Sequence, residues 1–227
     1  MDGRAGLGPY LSLWLFGLAF GLVESAVVIY LRQAGGLGGG ELFPVLQNMT
    51  EIQQRLFGIE RIREGATLAL MLAPAILFSD KLFERFLAFG IVFGVWDLAY
   101  YAFLYLLQNW PESLFTFDVL FLIPTLWVAP VLCPVLISAS LIVFGSGYLL
   151  IARRRMARNP SALQWLIAVL GGALVQLSFV DNADYYLAGG MPPRFSWLLF
   201  ASGYFLAALA GVYFLVQYVQ QPKTRFF

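Results

Sequence analysis

The 227-residue sequence contains no histidine and one cysteine, and only 14 basic and 13 acidic residues. Each scarcity excludes a class of chemistry. Without histidine there is no His-ligated haem, no His-based zinc or copper site and no Ser-His catalysis. A single cysteine cannot close an intramolecular disulfide. Cys133 stands in the apolar run VLCPVL and reads as a buried, unreactive thiol. With charge on only 12% of its residues, the chain cannot build the polar shell of a soluble domain of this size.

What fills the sequence instead is apolar surface. Hydrophobic residues make up 60% of the chain and the mean hydropathy is +0.78. They come in runs of about 20, the length that crosses a hydrocarbon core of about 30 Å. The expected fold is all-α, a single polytopic transmembrane domain over residues 1–227. Six spans are read at roughly 10–31, 60–78, 84–107, 127–150, 163–184 and 196–219. The runs are continuously apolar, whereas barrel strands alternate apolar and polar residues, so helices are expected. The first run carries Glu24 and no small-residue cleavage site follows it, so it reads as a retained anchor rather than a signal peptide.

Charge sets the orientation. With the N-terminus inside, the inner side carries nine basic residues, among them the RRRMAR run at 153–158, and the outer side five: Arg32, Arg55, Arg61, Arg63 and Arg194. Excess Lys and Arg mark the cytoplasmic side, so both termini are expected there, in a bacterial inner membrane, and RRRMAR is a topology signal rather than a nucleic-acid site. Acids run the other way, with three inside and ten in the outer half or beyond. Such an outer face attracts cations.

The outer connections are long. The glycines of GGLGGGELFP, 35–44, precede no GK[ST], so they form a crossing rather than a phosphate loop. Thr50 and Gln53 make a capping box, which starts the second helix near Glu51. Asn48-Met49-Thr50 matches a glycosylation sequon, a common chance pattern. The apolar stretch from Asp118 to Leu150 is too long for one crossing, and Pro124, Pro130 and Pro134 punctuate it. Residues 113–126 therefore either lie along the interface or form a broken, re-entrant segment, and the interfacial arrangement is the simpler.

Two segments share a template, FGLAFGLVESA at 16–26 and FGIVFGVWDLA at 89–99. At 100° per residue, Gly17, Gly21 and Glu24 fall within an arc of about 60°, as do Gly90, Gly94 and Asp97. Glycines at this spacing allow close helix packing, so both acids are expected to face protein. DNADYY at 181–186 echoes DLAYY at 97–101, which raises a threefold repeat of helical hairpins with one acid each.

A carboxylate within a span costs about 2.5–3.5 kcal/mol on insertion scales, so it needs a partner or a use. The structural explanation is an ion pair from Glu24 or Asp97 to Arg61 or Arg63. The functional one is an outward-facing acidic pocket of Glu24, Glu64, Asp97, Asp118 and Asp181, rimmed by Tyr100, Tyr101, Tyr185 and Tyr186; Trp110, Trp127 and Trp197 read as interfacial belt residues. Oxygen-only ligands suit a hard cation or a proton, and no organic cofactor is expected. The GxGD signature of intramembrane aspartyl proteases is absent, as are the aspartate-rich motifs of lipid-alcohol phosphotransferases. The chain thus reads as a membrane protein handling a cation, a proton or a small cationic solute. The alternatives are a non-catalytic subunit anchoring a membrane or periplasmic protein partner, and a carboxylate-dependent enzyme on a lipid. Lipids surround it in every case, and nucleic acid is not among its partners.

Overall fold

A computed structural model of the chain describes residues 7–34, 51–152, 159–181, 183, 185 and 194–220. Six long helices form among them: α1 (Leu7–Ala34), α2 (Glu51–Phe78), α3 (Leu82–Gln108), α4 (Leu132–Ala152), α5 (Ala162–Val180) and α6 (Trp197–Gln220). Five of these, all but α2, are long and apolar enough to cross a membrane. The apolar part of α2 runs from Ala66 to Phe78 only. Its start at Glu51 agrees with the capping signal, although Thr50 itself lies outside the described residues. So do GGLGGGELFP, the sequon, RRRMAR, Asn182, Asp184 and Tyr186.

Two boundaries have visible causes. A capping box starts α5: Ser161 Oγ accepts from Gln164 N–H at 3.3 Å, and Gln164 Oε1 accepts from Ser161 N–H at 2.8 Å. Asn109 ends α3 in the left-handed conformation, φ 53°, with its N–H donating to Tyr105 O.

Small residues decide which helices meet. A Cβ added at Gly17 would lie 2.9 Å from Val95, and one at Gly21 would lie 2.6 Å from Ala99. The same holds for Gly94 against Ser138 O, 2.6 Å, and for Gly171 and Gly203, whose virtual Cβ atoms meet each other's helix backbone. The α1–α3, α3–α4 and α5–α6 contacts are therefore backbone-close, as small-residue faces permit. They also give direction. Along α1, Gly17, Gly21 and Ser25 meet Val95, Ala99 and Tyr100 in order, so α1 and α3 run parallel. On α2, Thr67 meets Glu24 while Met71 and Ala75 share a core with Leu13, so α2 runs opposite to α1. Gly94 on Ser138 and Gly145 on Ile91 make α3 and α4 antiparallel. Phe179 stacks on Phe200 while Gln164 reaches Gln217 at 3.2 Å, so α5 and α6 are antiparallel too.

The stretch between α3 and α4 departs from expectation. It holds an antiparallel hairpin, β1 (Phe117–Phe121) and β2 (Trp127–Pro130), in place of the start of a helix at 127. Phe117 pairs with Pro130, Asp118 with Ala129 and Val119 with Val128, with a bulge before Phe121 pairs with Trp127. Residues 127–130, assigned above to the first turn of a helix, are thus strand, and α4 begins at Leu132. The prolines explain it: Pro130 and Pro134 deprive a helix of N–H donors, whereas Pro130 sits harmlessly at a strand end. The hairpin is buried against helices, with Val128 and Ala129 fully inaccessible. Its own pairing satisfies the facing edge of each strand.

Candidate functional site

Beneath the hairpin lies a cavity of about 220 Å³. Its walls come from the C-terminal halves of α1 and α3, the charged half of α2, the start of α4, the C-terminal half of α5 and both strands. It far exceeds the roughly 15 Å³ that one water needs.

Five carboxylates line it, Glu24, Glu60, Glu64, Asp97 and Asp118, against two guanidiniums, Arg32 and Arg63. Arg63 is committed: it forms ion pairs with both Glu24 and Glu60. Thr67 Oγ1 donates to Glu24 Oε1 at 2.7 Å, which ties α2 to α1. Glu64 accepts the Leu122 N–H at 2.9 and 3.1 Å on its two oxygens, so a side chain of α2 satisfies a hairpin donor beyond the strand pairing. Leu122 also packs in a cluster with Phe57, Val128 and Ala183, which fastens the hairpin to α2.

Asp97 and Asp118 have no basic partner within ion-pair distance among the described residues. Asp97, 7% exposed, accepts from Ser138 Oγ at 2.8 Å. Asp118 accepts from the Tyr101 hydroxyl at 2.9 Å and from its neighbour's N–H, that of Val119, at 2.9 Å. Burial raises the Asp118 carboxyl to about 6, against the opposing pull of the Tyr101 hydroxyl, the Arg32 charge and the Val119 N–H.

Aromatic rings join around the cavity. Trp96 stacks on Tyr100 at 6.3 Å, Tyr100 meets Tyr101 at 5.0 Å, and Phe93 bridges Trp96 to Phe121. Trp127 meets Phe121 edge-on at 5.5 Å. Such faces favour a cation over an anion.

The residues singled out from sequence divide. Glu24, Glu64, Asp97 and Asp118 line one cavity together with Arg63, Tyr100 and Tyr101. Arg61, two positions from Arg63, points to the exposed side of α2. Asp181 caps α5 at an exposed position, accepting from Ser196 Oγ, and is not a wall residue. Tyr185 is exposed as well. Trp110 is no belt residue: it is 3% exposed and lies under the Arg32 guanidinium, 4.2 Å from its ring centre. Of the two ion pairs considered, Glu24 with Arg63 forms and Asp97 with an arginine does not. Sequence reasoning missed Arg32, Glu60, Thr67, Ser138 and Trp96. Glu60 lies one turn from Arg63 and was the most legible of them.

Among the described residues no three acids or cysteine converge as a metal site would require. Neither a family model, nor a curated protein, nor a solved structure matches the chain.

Proposed function

We propose that this protein spans a bacterial inner membrane six times, both termini inside, and binds a small cationic solute in an outward-facing cavity under the hairpin. The observation that carries the reading is the pair Asp97 and Asp118, two buried carboxylates on one aromatic-walled cavity with no ion-pair partner among the described residues. A desolvated carboxylate beside ring faces suits an ammonium group, which replaces lost hydration with charge and cation–π contact. The same carboxylates can take up a proton when the solute leaves, which makes exchange of cation for proton the natural transport cycle. For the crossing count, α2 supplies the return stroke between the parallel α1 and α3, and its charged half projects with the cavity rather than into lipid.

The test is thermal melting of detergent-purified protein with ethanolamine against neutral ethylene glycol. A ligand that binds only the folded state raises the melting temperature. Ethanolamine should stabilise the wild type and not the Asp97→Asn/Asp118→Asn double variant, and equal curves for both solutes would sink the reading. The anchoring-subunit reading draws on the Glu24–Arg63–Glu60 tie, which fastens helices without needing a ligand. Co-purification of a stoichiometric partner from native membranes would favour it.

A further inference from the structure

Arg32 is the cavity group that the cationic reading leaves unused. It stands in the last turn of α1, 6% exposed, on the cavity wall. Its Nη1 is buried and has no hydrogen-bond partner among the described residues, nor does it take part in an ion pair with them. Its one contact of note is the Trp110 ring face, which orients the guanidinium but satisfies none of its N–H groups. A buried guanidinium without an acceptor is unfavourable, and the five carboxylates nearby make its isolation the more notable: Glu24 and Glu60 close on Arg63, while Asp118 is taken by Tyr101. Two further donors on the wall, Trp96 Nε1 and Trp127 Nε1, are likewise buried and unpartnered. Beside the two carboxylates that lack an ion-pair partner, Asp97 and Asp118, the cavity therefore also presents open donors.

We infer that the solute is a zwitterion, its ammonium group held by Asp97, Asp118 and the ring faces, and its carboxylate or phosphate held by Arg32. The inference rests on the cationic reading and deepens it. A planar guanidinium with free N–H groups binds a carboxylate or phosphate in the bidentate manner an ammonium cannot offer. Linking the two poles in one molecule makes the second contact intramolecular, so a zwitterion gains over either half alone. A zwitterionic lipid headgroup and a free zwitterion share this chemistry.

The experiment compares ethanolamine, inorganic phosphate and phosphoethanolamine by calorimetry on the wild type and on Arg32→Gln and Arg32→Lys. Phosphoethanolamine should bind the wild type at least about tenfold tighter than ethanolamine. An equimolar mixture of ethanolamine and phosphate should not reproduce that gain. Arg32→Gln should abolish the advantage without weakening ethanolamine binding, since loss of the Arg32 charge near Asp118 can only favour a cation, and Arg32→Lys should keep part of the advantage. If Arg32→Gln fails to fold, the comparison of linked and mixed probes on the wild type decides. Ethanolamine binding with no gain from the linked phosphate overturns this inference alone; no ethanolamine binding at all overturns the cationic reading beneath it. Repeating the titration in phosphatidylethanolamine and phosphatidylglycerol nanodiscs separates the sources. Competition by the first lipid identifies a headgroup, and equal affinity in both identifies a free solute; each supports the zwitterion site.

Discussion

Glu24 and Asp97 occupy matching places on their helices yet have opposite electrostatic circumstances. Glu24 shares Arg63 with Glu60 and also accepts from Thr67. Replacing Arg63 by Gln leaves two buried carboxylates facing one another, a loss of about 3–5 kcal/mol, and Arg63→Gln with Glu24→Gln should recover much of it, as a double-mutant cycle of melting temperatures can establish. Asp97→Asn keeps an acceptor for Ser138 and removes an unpaired buried charge, so the variant should melt no lower than wild type while losing ethanolamine stabilisation. The two variants should thus move stability in different directions. Asp118 adds a pH dependence. Its carboxyl is raised from 3.8 to about 6 in the folded protein, so the folded state binds its proton more tightly than the unfolded chain does. The stability this contributes is fully present below pH 3.8 and is lost as pH rises through about 6. Asp118→Asn should flatten that part of the melting profile. Cation affinity should change in the opposite sense, weakening as pH falls below about 6 and Asp118 is neutralised.

Helix contacts here depend on where a methyl group can be tolerated. Gly21 and Gly94 leave no room for one, whereas Gly65 meets nothing within 4 Å. Gly21→Leu and Gly94→Leu should lower the yield of folded protein in detergent, while Gly65→Ala should be neutral or stabilise by up to about 1 kcal/mol through helix propensity. Unchanged yield for the leucine variants would mean that these faces meet lipid. The hairpin depends on a different device. Its turn hangs on the Glu64 carboxylate, so Glu64→Leu would leave the Leu122 N–H buried without an acceptor. Hydrogen exchange at residues 119–126 should then accelerate relative to α3 and α4, which the substitution does not touch.

Taken as one assembly, the chain alternates direction from α1 to α6, and the cavity lies at the end where α1, α3 and α5 finish. That end also receives most of the acids among the described residues. In the proposed orientation, with the basic side inside, the cavity faces outward. Reporter fusions after Arg158 and after Gly190 should read opposite sides, and the same side for both would overturn the crossing count and with it the outward cavity. The glycine template meets close packing at Gly17, Gly21 and Gly94 only, since Gly90 lies an ordinary 3.5 Å from Leu141, and repeated hairpins do not follow from it. It does not extend to the third acid, because Asp181 reaches the exposed end of α5 instead of a buried face.

Composition, run length and the spacing of glycines are local quantities, and local rules decided from them that this is a membrane protein of helices, and that Gly21 and Gly94 lie at contacts. A helix face follows from 3.6 residues per turn before any partner is known. Which partner a side chain meets is a non-local matter. The order of charges in ERIRE does not say that Arg63 turns inward to Glu24 while Arg61 stays exposed, nor that Asp97 is left to Ser138. Pro124, Pro130 and Pro134 announced a break in the helix, but not that the Leu122 N–H of a hairpin would find its acceptor on Glu64, fifty-eight residues earlier. That Arg32 Nη1 has no acceptor among the described residues was equally invisible, since Glu24 and Glu60 close on Arg63 and the Tyr101 hydroxyl donates to Asp118.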